Sequence, residues 1–359
     1  MELNLRMPPC PRLHTIPFHV SLGRASLLGC LLLVMAVSAA CAYDALYAFG
    51  DSLTDTGNNP PSGANYYNGR YSNGPLWVEY MSTNLGLAYV QANNNANSGS
   101  QTGDALLAVQ NLPRPVDAAT AVFAVWSGGN DFLDNVSLTS QQNDPLWAGV
   151  ISNAIYNLTN AVAVLYADGA RTIIVPNLPD LSKIPVASGF TSSYRAYMSG
   201  KLGLYNTNLL QALNHIRSGL PNLHLTCPDI FTNFNNILAN PAAYGFTKTT
   251  VGALEDTSLS DKSFNGPGSN YVFWDSVHPT TKAHALIANW IFSTLPSTGP
   301  IPLSIQNMAD KIVLSWTNSS FVLQSSTNIS GPFAGIPSAT SPYTNNLTPA
   351  QLFFRLQGP

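Results

Sequence analysis

Charge is scarce in this chain. Asp, Glu, Lys and Arg make up only 9% of its 359 residues, 18 acidic against 15 basic, for a formal net charge of −3. After an N-terminal leader no Lys/Arg cluster occurs, so the basic footprint needed to bind a phosphate backbone is missing and nucleic acid is not expected as a partner. Cysteine is scarce too. Of four cysteines, Cys10, Cys30 and Cys41 lie in or beside the leader, which leaves Cys227 alone and excludes a disulfide framework. Cys227 closes the apolar run at residues 223–226 and reads as a buried strand-end thiol. Long apolar runs are also lacking. The leader's own, residues 25–40, falls short of the ~20 residues that span a bilayer, and no later stretch reads as long enough, so no integral membrane segment is expected after leader cleavage.

Apolar residues, by contrast, reach 45%, and Asn, Ser, Thr, Gly and Pro are plentiful, as in a folded protein with a neutral surface. Arg6, Arg12 and Arg24 precede or flank the apolar stretch of the leader, and Ala40-Cys41-Ala42 has the small-x-small form of a cleavage site. Residues 1–42 therefore read as a signal peptide, Tyr43 as the mature N-terminus, and the protein as secreted, periplasmic or extracellular. Cleavage after Ser38-Ala39-Ala40 is the alternative. It leaves Cys41 first as a lipidation candidate, although position 38 is Ser where such sites usually carry Leu.

From residue 43 to 295, short β-branched or aromatic runs alternate with helix-compatible stretches, the pattern of a parallel sheet wrapped by helices. Strands are predicted at residues 46–49, 121–126, 172–175 and 223–226, and helices at 76–85, 147–168, 194–218 and 280–292. Open sheets of this class place their ligand sites in the loops beyond the strands' C-terminal ends. Residues 296–300 have linker composition. Residues 301–359 read as a small all-β module, with strands near 311–316, 321–324 and 352–356, that either leans on the larger domain or forms half of a sandwich.

The chemistry-bearing residues fall in those loops. An apolar strand runs into Gly50-Asp51-Ser52 and then a polar turn, which presents the Ser52 hydroxyl and its own N–H at a strand end. A serine nucleophile needs a base. In Asp275-Ser276-Val277-His278-Pro279 a carboxylate stands three residues before an imidazole at the start of a predicted helix, with Pro279 placed in its first turn. His215, His224 and His284 sit within amphipathic or apolar runs and read as structural. Gly128-Gly129-Asn130-Asp131 can present the Asn130 amide to a developing oxyanion, and Gly99 offers an N–H with no Cβ in the way.

Together these segments resemble the SGNH, or GDSL, hydrolase family, in its lipase-like branch. Phe49 to Asn58 resembles its nucleophile block, Gly128-Gly129-Asn130-Asp131 its Gly-x-Asn-Asp block, and Asp275-Ser276-Val277-His278 its Asp-x-x-His block; Gly99 fits the glycine block loosely. Val175-Pro176-Asn177-Leu178-Pro179-Asp180 and the segment Asn240 to Phe246 add supporting likeness, without the Cys many relatives carry there. The resemblance implies a three-layer α/β/α flavodoxin-like fold and a secreted, cofactor- and metal-free esterase or lipase. Ser52, His278 and Asp275 would be its triad, and Ser52 N–H, Gly99 N–H and the Asn130 amide its oxyanion hole, with Asp51 bracing the turn. A small-molecule or lipid ester is the expected substrate. An O-acetylated polysaccharide, anchored through the C-terminal module, is the alternative within the same chemistry, and an inactive binding protein on the same fold is the alternative outside it.

Overall fold

The computed structural model describes residues 43–136, 142–296, 303–308, 311–316, 321–329, 331–346 and 352–357. The expectations about the leader, and most of the linker, lie outside the described residues.

The four runs predicted as strands are β1 (Leu46–Gly50), β2 (Val122–Trp126), β3 (Thr172–Ile174) and β4 (His224–Thr226). They pair in parallel in the order β1–β2–β3–β4. Strands covered by helices on both faces can be apolar throughout, and all of β2 is buried, including Phe123 and Trp126. A fifth position lies outside β1. There Asn94 makes a single parallel bridge to Ala48, and the N–H groups of Asn95 and Asn97 donate to the carbonyls of Ala48 and Gly50 at 2.7 and 3.0 Å. The chain thus leaves β1 for one edge and returns on its other side as β2, a flavodoxin-like winding that reverses at β1. Loops diverge at such a reversal and open a crevice between them.

Seven helices accompany this sheet among the described residues: α1 (Trp77–Asn84), α2 (Thr102–Gln110), α3 (Gly129–Leu133), α4 (Asp144–Ala167), α5 (Ser192–Gly219), α6 (Ile230–Ala239) and α7 (Thr281–Phe292). On one face α1 packs on α7, with α6 beside it; on the other α2 packs on α4 and α4 on α5. Trp77 of α1 meets Trp126 of β2 edge-on at 5.6 Å, which seats the first helical layer on the sheet. The result is a three-layer α/β/α fold.

Helix α4 begins where the Asn143 side chain accepts the Leu146 N–H, with Pro in the first turn. It ends before Gly169, whose φ of 104° no L side chain adopts readily. Contrary to the expectation from sequence, α4 is long and apolar enough, by length and composition, to cross a bilayer. Its 24 residues carry no charge after Asp144, but its Ala, Asn, Ser and Thr break up the apolar run by eye. Here it buries Trp147, Ile151, Leu158 and Leu165 in the core. At α7 the sequence is corrected in a smaller way. Thr280 is the N-cap, so Pro279 precedes the helix instead of occupying its first turn.

Residues 303–357 carry six short strands, β5 (Ser304–Met308), β6 (Lys311–Ser315), β7 (Val322–Ser326), β8 (Ala334–Gly335), β9 (Tyr343–Asn346) and β10 (Phe353–Gln357). They form two antiparallel sheets, β10–β7–β8 and β5–β6–β9. Leu314 and Trp316 from one side and Leu323 from the other centre a small apolar cluster distinct from the main core.

Candidate active site

The site begins at the end of β1. Gly50 pairs with Trp126, and a Cβ on Gly50 would lie 2.2 Å from the Trp126 carbonyl oxygen, so no side chain fits. The chain then folds back on itself, the Asp51 carbonyl accepting the N–H groups of Thr54 and Asp55 at 2.9 Å each. The Asp51 carboxylate accepts the Leu53 N–H at 3.0 Å and braces the turn that holds Ser52. Burial pushes Asp51 up to about 6, against the opposing pull of the Leu53 N–H and of His278.

His278 reaches this turn from 226 residues away. Its Nε2 lies 2.8 Å from Ser52 Oγ, while Nδ1 lies 2.9 and 2.8 Å from the two carboxylate oxygens of Asp275. Asp275 also accepts the backbone N–H groups of Val277 and His278 at 2.8 and 2.7 Å, which locks the carboxylate before the imidazole. Burial pushes Asp275 up, but hydrogen bonding to His278, its charge and the two N–H groups outweigh burial and hold the carboxyl below its ordinary range. Gly252 permits this approach; a Cβ there would come within 2.4 Å of the Asp275 backbone. A hydroxyl, an imidazole and an ionised carboxylate in series can deprotonate the hydroxyl as it attacks and return the proton to a leaving group.

Two further loops converge on the same turn. Gly99, at φ 85°, lies in a loop tied on both sides: Asn97 N–H donates to Gly50, and Asn130 Nδ2 donates to the Ser100 carbonyl at 2.9 Å. An amide nitrogen has two hydrogens, so one Asn130 N–H remains for a ligand. Among the described residues nothing accepts from the N–H of Ser52 or of Gly99. Asp131, next to Asn130, accepts the Thr102 N–H and hydroxyl at 2.9 and 2.7 Å and so fixes the start of α2. Burial raises its pKa despite those bonds.

Asp55 was not singled out from sequence, yet it joins the loops. Its Oδ1 accepts Gly57 and Asn58 N–H at 2.8 and 2.6 Å, and its Oδ2 accepts Asn59 and Ser98 N–H at 2.9 and 2.8 Å. The Asn58 amide adds bonds to the Asn94 and Ala96 carbonyls. The Asp-Thr-Gly-Asn continuation after Ser52 thus holds the Gly99 loop in place.

Residues 46–291 match the family model of GDSL-like lipase/acylhydrolase. The chain belongs to this family. Among its curated relatives, GDSL esterase/lipase APG of Arabidopsis thaliana is 27% identical over 71% of this chain and 92% of its own. GDSL esterase/lipase 7 of the same plant is 24% identical over 74% and 92%. The lipase Lip_vut3 from a goat rumen metagenome, a solved structure, has 15% identity and a TM-score of 0.45, with 70% of this chain and 96% of that one covered. The protein is a hydrolase acting on ester bonds.

The other histidines and the cysteine of this GDSL-family enzyme lie away from Ser52. His215 is exposed, and His224 Nε2 lies 3.3 Å from the Thr294 carbonyl. His284 is fully buried on α7, and no described group pairs with either ring nitrogen; burial, then the charge of His278, depress it to about 3, so it is neutral. Cys227 is half-buried just past β4, its thiol pushed up to about 12 by burial. Trp77 and Trp126 are core residues, whereas Tyr66 and Tyr71 stand at the site, Tyr66 donating to Asp275 at 2.9 Å. Nothing local in the sequence signals that bond, because 209 residues separate its ends. Among the described residues no group of three or more His, Cys, Asp or Glu is placed to hold a metal ion.

Proposed function

We propose that this ester hydrolase is an exported serine esterase in which Ser52 is the nucleophile, His278 the general base and Asp275 the residue that orients it. The observation that carries the reading is the unbroken series from Asp275 through Nδ1 and Nε2 of His278 to Ser52 Oγ, with every link between 2.8 and 2.9 Å. Ser52 Oγ attacks the ester carbonyl carbon as its proton passes to Nε2. The Ser52 and Gly99 N–H groups and the free Asn130 N–H receive the oxyanion, each such donor contributing about 2.7–4 kcal/mol. The imidazolium then protonates the departing alkoxide, and a water activated by the same nitrogen releases the acid from Ser52.

Ser52→Ala and His278→Ala should each lower kcat by about 10⁴- to 10⁶-fold, because the three residues act as a unit, while the melting temperature stays close to wild type. A Ser52→Ala enzyme with most of its rate intact removes the assignment. Small-molecule or lipid esters are the proposed substrates. One observation favours a second reading, an esterase for O-acetylated polysaccharide. A cavity of about 470 Å³ adjoins Gly50 and Gly99 and is lined by amides, hydroxyls and a carboxylate, Asn95, Asn97, Ser100, Asp104 and Asn111 among them, groups suited to sugar hydroxyls. Rates on p-nitrophenyl esters of rising chain length, beside acetylated xylan, separate the two. Export, with residues 301–359 as a distinct module, belongs to the same proposal. Recovery of the protein outside the cell with its first residues intact would remove the signal peptide from it.

A further inference from the structure

The segment after the nucleophile turn is latched to the Asp275–His278 loop at both ends. Trp274 Nε1 donates to the Asn65 carbonyl at 2.8 Å, Ser72 Oγ to the Pro279 carbonyl at 2.9 Å, and Thr281 N–H to Asn73 Oδ1 at 2.9 Å. Gly74 closes the latch, since a Cβ there would lie 2.8 Å from the Thr281 side chain. Between these fastenings stand two tyrosines, their ring centroids 5.7 Å apart. Tyr66 O–H donates to Asp275 Oδ2 at 2.9 Å. The ring of Tyr71 lies 4.8 Å from the His278 imidazole, tilted by 40°. Burial, then the charge of Asp275, push the Tyr66 phenol well above its ordinary range, so it remains a donor throughout the working pH of an esterase.

We propose that Tyr66 and Tyr71 are positioning residues of the ester hydrolysis, Tyr66 fixing the Asp275 carboxylate and Tyr71 supporting the imidazolium that His278 becomes in each turnover. This inference rests on the Ser52–His278–Asp275 reading. The two act on His278 in opposite senses. A phenol bound to Oδ2 spreads the carboxylate's negative charge and lowers the proton affinity of the imidazole behind it. A ring within about 6 Å attracts a cation through its negative face and raises that affinity. The charge of His278 in turn lowers two ionisable groups outside the triad, Asp51, across the Ser52 turn, and His284, neutral on α7. Glu255 acts through Asp275, whose charge, after burial, raises the Glu255 pKa.

The test is the pH profile of kcat/KM on p-nitrophenyl butyrate for the wild type, Tyr66→Phe, Tyr71→Leu and Tyr71→Phe, with folding checked by thermal melts. Tyr66→Phe should lower kcat roughly tenfold at unchanged KM, the scale of one hydrogen bond to a charged group, and move the acid limb to higher pH. Tyr71→Leu should lower kcat about threefold and move the acid limb to lower pH, and Tyr71→Phe, which keeps the ring, should return it to the wild-type position. If Tyr71→Leu does not fold, Tyr71→Met takes its place. Acid limbs that stay still, or that move in the same direction in both variants, overturn the proposal. An active Ser52→Ala enzyme removes the underlying reading instead, so the two failures are distinguishable.

Discussion

Every residue of β2 is buried, whereas in β9 burial alternates residue by residue between half-buried and exposed. The first belongs to a sheet covered by helices on both sides and the second to a small antiparallel sheet with one wet face. Where both faces are dry, few polar groups stand along the strands, and the turn after β1 and the short helix α3 after β2 gather Asp51, Ser52, Asp55, Asn130 and Asp131. Where one face is wet, polar residues spread along the strand, as in Tyr343–Asn346, and no reactive constellation results. Burial concentrates the chemistry here.

Breaking the dry side should cost most. Gly50→Val places side-chain atoms against the Trp126 carbonyl, where even a Cβ would sit at 2.2 Å. A loss of more than about 3 kcal/mol in stability, with esterase activity abolished, is expected and is read by denaturant unfolding and rate together. Next, Leu323→Ala opens the small cluster of the antiparallel sheets. It should cost about 2–4 kcal/mol there and leave kcat/KM on a soluble ester unchanged; a parallel fall in rate would show that the two regions act as one. Asp55→Ala leaves four backbone N–H groups without their acceptor. A loss of about 2 kcal/mol and a clear fall in kcat follow as the Gly99 loop loosens; an unchanged kcat would separate that loop from the reaction.

The last effect is absent at neutral pH and appears only in acid. His284 falls from 6.5 to about 3 on folding, so its contribution to stability is present above 6.5 and lost as pH drops through that window. Asp51 rises from 3.8 to about 6, so its contribution is present below 3.8 and lost as pH rises. The two oppose each other over much of the acid range. His284→Met removes one of them, and the stability difference between variant and wild type should shift in the variant's favour by about 1.4 kcal/mol for each pH unit below the window's upper end. A difference independent of pH would mean that His284 is not buried neutral.

Much of this was legible in the sequence where the signal is local. All four parallel strands were, because each is a short apolar run bounded by turn residues. Asp275 and His278 were, because three residues of one tight turn join them. Helices α2 and α6 were not read: Gly103 lies inside one, and the other is short, its apolar positions interleaved with Asn233, Asn235 and Asn236. Strands β8 and β9 offer almost no apolar periodicity. The roles of Asp55 and Tyr66 are hidden for a different reason. Tyr66 is one of several aromatics near the loops, but its bond to Asp275 spans 209 residues, and the bond by which Asp55 ties in Ser98 spans 43; both form only once the sheet has formed.

The single bridge at Asn94 has a consequence for how the protein behaves among its own copies. An outer strand of full length beside β1 would expose a regular row of N–H and C=O groups, a template for pairing with another chain. Here the row stops after the bonds to Ala48 and Gly50, and the backbone turns away into the loop that carries Gly99. The same irregularity that leads the backbone into the Gly99 loop therefore also guards the sheet against edge-to-edge aggregation. Substitutions that regularise residues 93–97 into a longer strand would trade solubility and catalysis away together.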